Sequence, residues 1–239
     1  MTKIFGHRGS AGTHPENTMI SFQQAFCDGA DGIELDVQLS KDGIPVVIHD
    51  EKVDRTTDGK GLVKDFTLKE LKQLNAVYKF KKLYSHAEIP TLEEVLDWAA
   101  RKQTLVNIEL KNSIIPYSGM EEKVLELILK YDVENLVIFS SFNHFSIARL
   151  HTLSPSIEKA VLYMEGINKP WDYTKWVGAQ GIHPYIKAAT PTIIQRSKEN
   201  GVPVRPFTVN DEKTMLRLFK AECAGFFTDY PKRAVLIKQ

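Results

Sequence analysis

Eight short apolar runs alternate with longer helical segments along almost the whole sequence, and this alternation restricts the fold more than any other feature. Short runs rich in Val, Ile and Phe are typical of buried strands, and the segments between them have helical spacing. Strands that alternate with helices favour a parallel sheet, because each helix returns the chain to the same edge. The predicted strands are 3–7, 32–37, 104–111, 136–142, 159–164, 181–185, 202–209 and 225–229.

Capping residues mark the points where helices begin. Thr91 and Glu94 have the capping-box spacing, in which each side chain satisfies a backbone N–H group of the first turn. Thr190 precedes Pro191, which pairs an N-cap residue with proline at the first helical position. These signals support helices, rather than long loops, between the strands.

The number of β/α units predicts a (β/α)8 TIM barrel, because eight parallel strands close into a barrel. The length of 239 residues is typical of one such domain, and we expect residues 1–239 to form a single barrel. An open doubly wound sheet is the competing fold, although no Gly-x-Gly-x-x-Gly sequence or Walker loop follows the first strand. Residues 50–90 are polar, rich in lysine and weakly periodic, which predicts a small insertion after the second strand.

Composition and charge exclude several classes of protein. The formal net charge is +1, so we expect no nucleic-acid binding and no stable association with a membrane. No apolar run reaches the roughly 18 residues that span a bilayer. The first motif begins near the N-terminus and leaves no space for a signal peptide, so we expect a cytoplasmic protein, whose oligomeric state is not readable. Cys27 and Cys223 lack the spacing of metal ligands and are predicted to be buried free thiols.

Acidic residues occupy one face of two predicted strands. Glu34 and Asp36 are separated by one residue, so both side chains point to the same face of the second strand. Helices cover the outer face of a barrel, and the aliphatic residues of the strand belong there, so the acidic pair points inwards. Glu109 occupies the corresponding face of the third strand. We therefore expect three carboxylates to converge near the C-terminal end of the barrel, where active sites of this fold lie.

Three buried carboxylates have to be neutralised, either by protons or by a cation. Ligands that are all oxygen atoms favour magnesium, calcium or manganese over zinc. Each acid taken alone is more often structural, but together Glu34, Asp36 and Glu109 predict a site for one divalent cation.

A hairpin is predicted to bring a histidine to the acids. Asp42 and Gly43 suit the two central positions of a type I′ turn, so residues 45–49 form a return strand. This register places His49 directly opposite Asp36, on the same face of the sheet. We therefore predict that His49 lies over the cation.

Further candidates follow the first and third strands. His7 and Arg8 end the first strand, and Lys111 ends the third. Two imidazoles beside a metal are suited to acid and base roles near neutral pH. Arg8 and Lys111 are suited to binding an anion. A cation, two histidines and two basic side chains are the groups that an enzyme of phosphoryl transfer needs.

The motifs GHRG, HPENT, GIELDVQLSKDGIPVVIHD and DRTTDGKG closely resemble the N-terminal half of the glycerophosphodiester phosphodiesterases. NIELK, PFTVND and GFFTDYP resemble the later motifs of that family, so the resemblance covers nearly the whole chain. It implies a (β/α)8 barrel with a small insertion after the second strand. It also implies hydrolysis of small-molecule substrates such as glycerophosphocholine or glycerophosphoethanolamine to sn-glycerol 3-phosphate and an alcohol.

The resemblance implies roles for the candidate residues. His7 and His49 would be the acid/base pair, and Arg8 and Lys111 would bind the phosphate. The three acids would bind one divalent cation, Ca²⁺ or Mg²⁺, with Mn²⁺ as a further possibility.

The resemblance also covers three residues outside this set. Glu16 and Asn17 of the PENT motif would line or brace the site, and capping of the following helix explains them equally well. Phe207 stands where the family usually has tryptophan. An aromatic wall for the substrate is kept, but the indole N–H donor is lost.

Two other functions remain open at this point. A phospholipase D-like enzyme that hydrolyses lysophospholipids on a similar barrel would expose apolar side chains beside its mouth, and the insertion contains LVKDFTLKELKQLNAVYKFKKLY. A barrel that binds phosphoglycerol ligands without catalysis would make no use of two placed histidines. His183 and Tyr185, at the end of the sixth predicted strand, are additional candidates for lining the mouth.

Overall fold

A computed structural model describes residues 1–238 of the 239-residue chain, and it confirms the predicted (β/α)8 barrel. Its strands are β1 (Lys3–Gly6), β2 (Gly32–Leu39), β3 (Pro45–Val47), β4 (Leu105–Leu110), β5 (Val137–Ser141), β6 (Glu158–Tyr163), β7 (Gly181–Pro184) and β8 (Gly225–Thr228). Its α-helices are α1 (Met19–Cys27), α2 (Leu68–Leu71), α3 (Leu92–Lys102), α4 (Met120–Lys130), α5 (His144–Leu153), α6 (Pro170–Val177), α7 (Pro191–Glu199), α8 (Glu212–Lys220) and α9 (Pro231–Lys238).

The parallel strands run around the barrel in the order β7-β6-β5-β4-β2-β1-β8, and the segment 202–209 closes it. The prediction of a continuous strand over 202–209 is wrong, because the two prolines of this segment have no N–H group to donate to a ladder. Val204 nevertheless bridges Ile182 of β7, and the Phe227 N–H of β8 donates to the Pro206 carbonyl oxygen at 3.0 Å. The segment therefore occupies the eighth position of the barrel.

The hairpin between β2 and β3 has a register one residue away from the predicted one. The Ile48 N–H donates to the Asp36 carbonyl oxygen at 3.0 Å, so Ile48 and not His49 lies opposite Asp36. The connecting loop has three residues rather than two and ends at Gly43, whose φ of 76° is in the region that favours glycine. The predicted pairing of His49 with Asp36 is therefore wrong.

Aliphatic side chains of the strands face the helices, as the alternation along each strand predicts. Ile33, Leu35 and Val37 of β2, with Val106 and Ile108 of β4, are fully buried in a core shared with α1, α3 and α4. The alternate residues of the same strands point into the barrel. The polar side chains of these strands are therefore gathered in the interior.

The predicted helix starts are confirmed. The Glu94 N–H donates to Thr91 Oγ1 at 3.1 Å and the Thr91 N–H donates to Glu94 Oε2 at 2.7 Å, which completes the capping box. The Thr190 side chain accepts a hydrogen bond from the Ile193 N–H at 3.2 Å and caps α7.

Residues 50–90 lie beside the barrel around a small apolar core. They contain α2 and the 3₁₀ turns Val63–Asp65 and Tyr78–Phe80. The buried members of this core are Val46, Ile48, Val53, Val63, Leu71, Ala76 and Ile89. Because Val46 and Ile48 belong to the β3 hairpin, this core attaches the segment to the barrel at the end of β3.

Two further expectations concern membranes and thiols. Within residues 1–238, no helix combines the length and the apolar character that crossing a bilayer requires. Both cysteines are free thiols, and Cys223 is buried as predicted. The prediction that Cys27 is buried is wrong: it is the last residue of α1 and is exposed.

Candidate active site

The three predicted acids meet inside the barrel. Glu34 and Asp36 lie on β2, and Glu109 of β4 is the register partner of Asp36. One carboxylate oxygen from each of the three residues lies within 4.8 Å of the other two. The exposed fractions are 4%, 1% and 9%, respectively, so the cluster is almost fully removed from solvent.

Burial and mutual repulsion determine the protonation of this cluster. Burial raises the pKa of Glu34 well above its usual value, and the charges of Asp36 and Glu109 raise it further. Burial also raises the pKa of Glu109, with Asp36 adding to the effect. Burial opposes ionisation of Asp36 as well, but His49, Arg8 and Lys111 together hold its pKa well below the usual range. The cluster therefore has more carboxylates than the nearby positive charges can keep ionised.

The donor atoms of the cluster fit a hard divalent cation. All three residues offer oxygen atoms, which calcium and magnesium prefer. Among the described residues, Asp36 Oδ1 is buried and receives no hydrogen bond. A buried acceptor without a donor is rare in folded proteins, and a cation between the carboxylates would satisfy it.

His7 forms the first of two histidine–aspartate pairs. It follows the end of β1, and its Nδ1 lies 2.7 Å from Asp229 Oδ1. Burial opposes ionisation of Asp229, but the hydrogen bond with His7 lowers its pKa, so the carboxylate accepts and Nδ1 carries the proton. Asn210 Nδ2 donates to the second oxygen of Asp229 at 2.6 Å. The Nε2 atom of His7 is thereby left for the site.

His49 forms the second pair with its neighbour in the sequence. Its Nδ1 lies 2.6 Å from Asp50 Oδ1, and its Nε2 lies 3.2 Å from Lys111 Nζ. The hydrogen bond from Arg55 lowers the pKa of Asp50 to about 2, with a smaller contribution from His49. Despite the wrong register prediction, His49 therefore reaches the acids, where the ammonium group of Lys111 connects it to Glu109 at 2.8 Å.

Arg8 is held between the acids and the loop after β1. Its backbone N–H donates to Glu34 Oε2 at 2.8 Å, and its Nη1 donates to Glu16 Oε1 at 2.8 Å. Its Nε lies 3.3 Å from Asp36 Oδ2, the oxygen that also accepts from Asn17 Nδ2 at 2.8 Å. Glu16 and Asn17 thus brace Arg8 and Asp36, and Thr18 caps α1 in their place.

An aromatic wall stands beside Lys111. Phe207 lies 5.9 Å from the ring centroid of Phe142 and 6.1 Å from that of Tyr185. Lys111 Nζ lies 6.0 Å from the centroid of the Phe142 ring. The expectation that His183 lines the mouth is wrong, because this residue is fully buried in the barrel interior.

The sequence patterns assign no role to Asp50, Arg55, Phe142 or Asp229. Asp229 ends a predicted strand, and a polar residue at the C-terminal end of a barrel strand is a usable signal. Asp50 directly follows a candidate histidine, which is a weaker signal. Arg55 lies in the insertion, where no periodic pattern predicts the position of a side chain.

Comparisons with known proteins show what this chain is similar to. A sequence model of the Glycerophosphoryl diester phosphodiesterase family matches residues 7–233. The chain is 50% identical over 242 residues to a glycerophosphodiester phosphodiesterase of Bacillus altitudinis, covering 100% of this chain and 99% of that protein. It is 44% identical over 234 residues to one of Caldanaerobacter subterraneus subsp. tengcongensis, covering 98% and 96%. A solved structure of an Oleispira antarctica phosphodiesterase in complex with the product sn-glycerol-3-phosphate has a TM-score of 0.87 at 32% identity, covering 99% and 96%.

Proposed function

This chain belongs to the glycerophosphoryl diester phosphodiesterase family, and we propose that it hydrolyses glycerophosphodiesters to sn-glycerol 3-phosphate and an alcohol with the help of one divalent cation. The observation that carries the proposal is the convergence of three buried carboxylates with two aspartate-paired histidines at the C-terminal ends of the barrel strands. The product complex of the similar Oleispira antarctica enzyme supports sn-glycerol 3-phosphate as the product.

Glu34, Asp36 and Glu109 would hold the cation, which is Ca²⁺ or Mg²⁺, with Mn²⁺ also compatible with oxygen ligands. A bound cation supplies positive charge that offsets the charge developing on the phosphodiester oxygens. With the carboxylates neutralised in this way, the guanidinium group of Arg8 and the ammonium group of Lys111 are available to the phosphate. Arg8 offers two parallel donors and Lys111 a compact charge.

The two histidines would transfer the protons. Asp229 and Asp50 hold the Nδ1 proton of His7 and His49, so each Nε2 is the nitrogen that exchanges a proton with the substrate. One imidazole removes a proton as the nucleophilic oxygen, from water or from the neighbouring glycerol hydroxyl, bonds to phosphorus. The other donates a proton to the alcohol oxygen as its bond to phosphorus breaks. Attack by water gives sn-glycerol 3-phosphate directly, whereas attack by the glycerol hydroxyl gives a cyclic phosphate that a water molecule then opens to the same product.

The experiment is an assay of sn-glycerol 3-phosphate release from glycerophosphocholine, glycerophosphoethanolamine and glycerophosphoglycerol. We expect release that stops with EDTA and returns with calcium, magnesium or manganese. Glu34→Gln should lose activity and also weaken cation binding in isothermal titration calorimetry. Glu122→Gln, which changes a partly exposed glutamate paired with Arg149 outside the site, is the matched control. No release from any diester with any cation would contradict the proposal.

Exposed apolar side chains beside the mouth favour lysophospholipid hydrolysis as a second candidate function. Ile114 follows β4 and is 74% exposed, and Phe145 follows β5 and is 89% exposed. Leu83 of the insertion is 71% exposed. Turnover of glycerophosphocholine and of lysophosphatidylcholine should be compared in the wild type and in Phe145→Ser. Faster turnover of the lysolipid, lost in Phe145→Ser, would favour the second candidate.

A further inference from the structure

We propose that Arg55 is a positioning residue that fixes His49 and Arg8 relative to each other by binding the carboxylates of Asp50 and Glu16 at the same time. The inference rests on the proposed phosphodiesterase reaction, in which His49 transfers a proton and Arg8 binds the phosphate. It assigns to the insertion a direct part in organising the site.

The guanidinium group of Arg55 meets two carboxylates along two of its edges. Nε and Nη2 donate to Asp50 Oδ2 and Oδ1 at 2.7 and 2.9 Å. Nη1 and Nη2 donate to Glu16 Oε2 and Oε1, both at 2.8 Å. The planar fork of arginine makes two such paired contacts, whereas the ammonium group of a lysine acts as a single point charge.

The first contact acts on His49. Asp50 Oδ1 is bonded to Arg55 and also lies 2.6 Å from His49 Nδ1. A fixed carboxylate at Nδ1 selects one tautomer and one ring orientation, which directs Nε2 to a defined point. Here that point is beside Lys111 Nζ, at 3.2 Å. Without Arg55, Asp50 and the imidazole share only a mobile contact near the surface.

The second contact acts on Arg8. Glu16 Oε1 accepts from Arg8 Nη1 and from Arg55 Nη2, both at 2.8 Å. Arg8 in turn lies 3.3 Å from Asp36 Oδ2. Glu16 is therefore held from both sides, and loss of Arg55 leaves it free to pull Arg8 away from the acids.

The residues joined in this way come from separate parts of the chain. Arg55 and Glu16 are 39 residues apart in the sequence, one in the insertion and one in the loop after β1. The Tyr78 ring of the insertion lies 5.8 Å from the guanidinium carbon of Arg55. Arg55 thus connects the insertion to the His49–Asp50 pair and to the Glu16–Arg8 pair.

The test begins with steady-state kinetics of the full chain on the best glycerophosphodiester. Arg55→Ala should lower kcat about 10- to 100-fold, the range expected when the outer partner of an active group is removed. Arg55→Lys should recover only part of the loss, because lysine keeps the charge but not the fork. Arg149→Ala, which removes an exposed arginine paired with Glu122, should leave kcat unchanged.

A double-mutant cycle separates positioning from general support of the fold. In an Asp50→Ala, Glu16→Ala background, Arg55→Ala should lower kcat by no more than about twofold, because both carboxylates that Arg55 binds are gone. If Arg55→Ala lowers kcat by the same factor in the wild type and in the doubly substituted background, the inference is overturned. Wild-type kcat in Arg55→Ala would also overturn it. Melting temperatures of all variants show whether the fold is kept.

A second measurement does not depend on activity. The ¹⁵N shifts of the His49 imidazole should report a proton on Nδ1 in the wild type and a mixture of tautomers in Arg55→Ala and Asp50→Ala. Unchanged His49 shifts in Arg55→Ala would overturn the positioning role. A wild type that releases no sn-glycerol 3-phosphate would overturn the proposed reaction instead, and the shifts would still decide the role of Arg55.

Discussion

Each of the two histidines of the site is paired with an aspartate, but the two pairs are held in place by different parts of the structure. His7 and Asp229 follow the adjacent strands β1 and β8, are 222 residues apart in the sequence and pair at 2.7 Å. His49 and Asp50 are neighbours in the sequence, lie beyond the end of β3 and are held by Arg55 of the insertion. One pair is therefore part of the barrel, and the other depends on side chains outside it.

Because of this difference, changes to the His7–Asp229 pair should affect both catalysis and stability, whereas changes to the His49–Asp50 pair should affect mainly catalysis. Asp229 also accepts from Asn210 Nδ2 at 2.6 Å, and its N–H donates to Asn210 Oδ1 at 3.0 Å, at the point where the barrel closes. Changes at Asp229 should therefore affect both the fold and the reaction. Changes at Asp50 or Arg55 should affect the reaction with little effect on the fold.

The largest expected effect is the loss of either imidazole. His7→Ala and His49→Ala should each lower kcat by at least about 100-fold and up to about 10⁴-fold, the usual contribution of general acid–base catalysis. His86→Ala, which removes an exposed histidine of the insertion, is the control. Stopped assays with circular dichroism as a check of folding provide the measurement. Near wild-type kcat in either variant would show that this histidine is not in the reaction.

The next effect distinguishes the two aspartates by stability. Asp229→Ala should lower the free energy of unfolding by about 1–3 kcal/mol, because it leaves groups at the barrel closure without their partner. Asp50→Ala should lower it by less than about 1 kcal/mol, as is typical of ion pairs near the surface. Urea denaturation followed by fluorescence measures both. Equal losses would remove the distinction between the two pairs.

A smaller effect appears in the pH dependence of stability. Hydrogen bonds from Arg55 lower the pKa of Asp50 from its usual 3.8 to about 2 in the folded protein. A carboxyl group whose pKa is lower in the folded state stabilises the fold fully above the unfolded pKa, and this contribution disappears as the pH falls to the folded pKa. The difference in unfolding free energy between the wild type and Asp50→Asn should therefore be constant above about pH 5 and shrink between about pH 4 and pH 2. A difference that grows on acidification would contradict the assigned pairing.

The smallest expected effect concerns the ring behind Arg55. The Tyr78 ring lies 5.8 Å from the guanidinium carbon, and an exposed cation–π contact contributes about 0.5–1 kcal/mol. Tyr78→Ala should lower kcat roughly two- to fivefold and leave the unfolding free energy nearly unchanged. Phe80→Ala is the matched control, since its ring faces Lys79 at 5.2 Å. The same loss in both variants would indicate a general effect of the loop.

The acid cluster could be predicted from the sequence because a parallel barrel leaves one face for polar side chains. Alternation along β2 and β4 was enough to place Glu34, Asp36 and Glu109 in the interior. The prediction that brought His49 to the acids used a wrong register, and in the structure this histidine is connected to Glu109 through Lys111. The chain leaves the β3 ladder after Ile48, so the alternation used for the prediction no longer applies at His49.

The support of the second histidine could not be predicted in the same way. Asp50 and Arg55 take their positions from the packing of the insertion, whose sequence is weakly periodic. Contacts such as that of Arg55 with Glu16 join segments that no local pattern relates. Similarly, the closing segment 202–209 has an apolar pattern typical of a strand, but its prolines limit it to isolated bridges.

The most direct test of the proposed cation site is a crystal structure with Mn²⁺ and sn-glycerol 3-phosphate, in which anomalous diffraction locates the ion. We expect one anomalous peak within about 2.0–2.6 Å of an oxygen from each of Glu34, Asp36 and Glu109, the range of oxygen–cation bonds for magnesium and calcium. The phosphate should lie within hydrogen-bonding reach of Nε2 of both His7 and His49. A peak at other residues, or Glu109 turned away from the β2 acids, would contradict the proposed site.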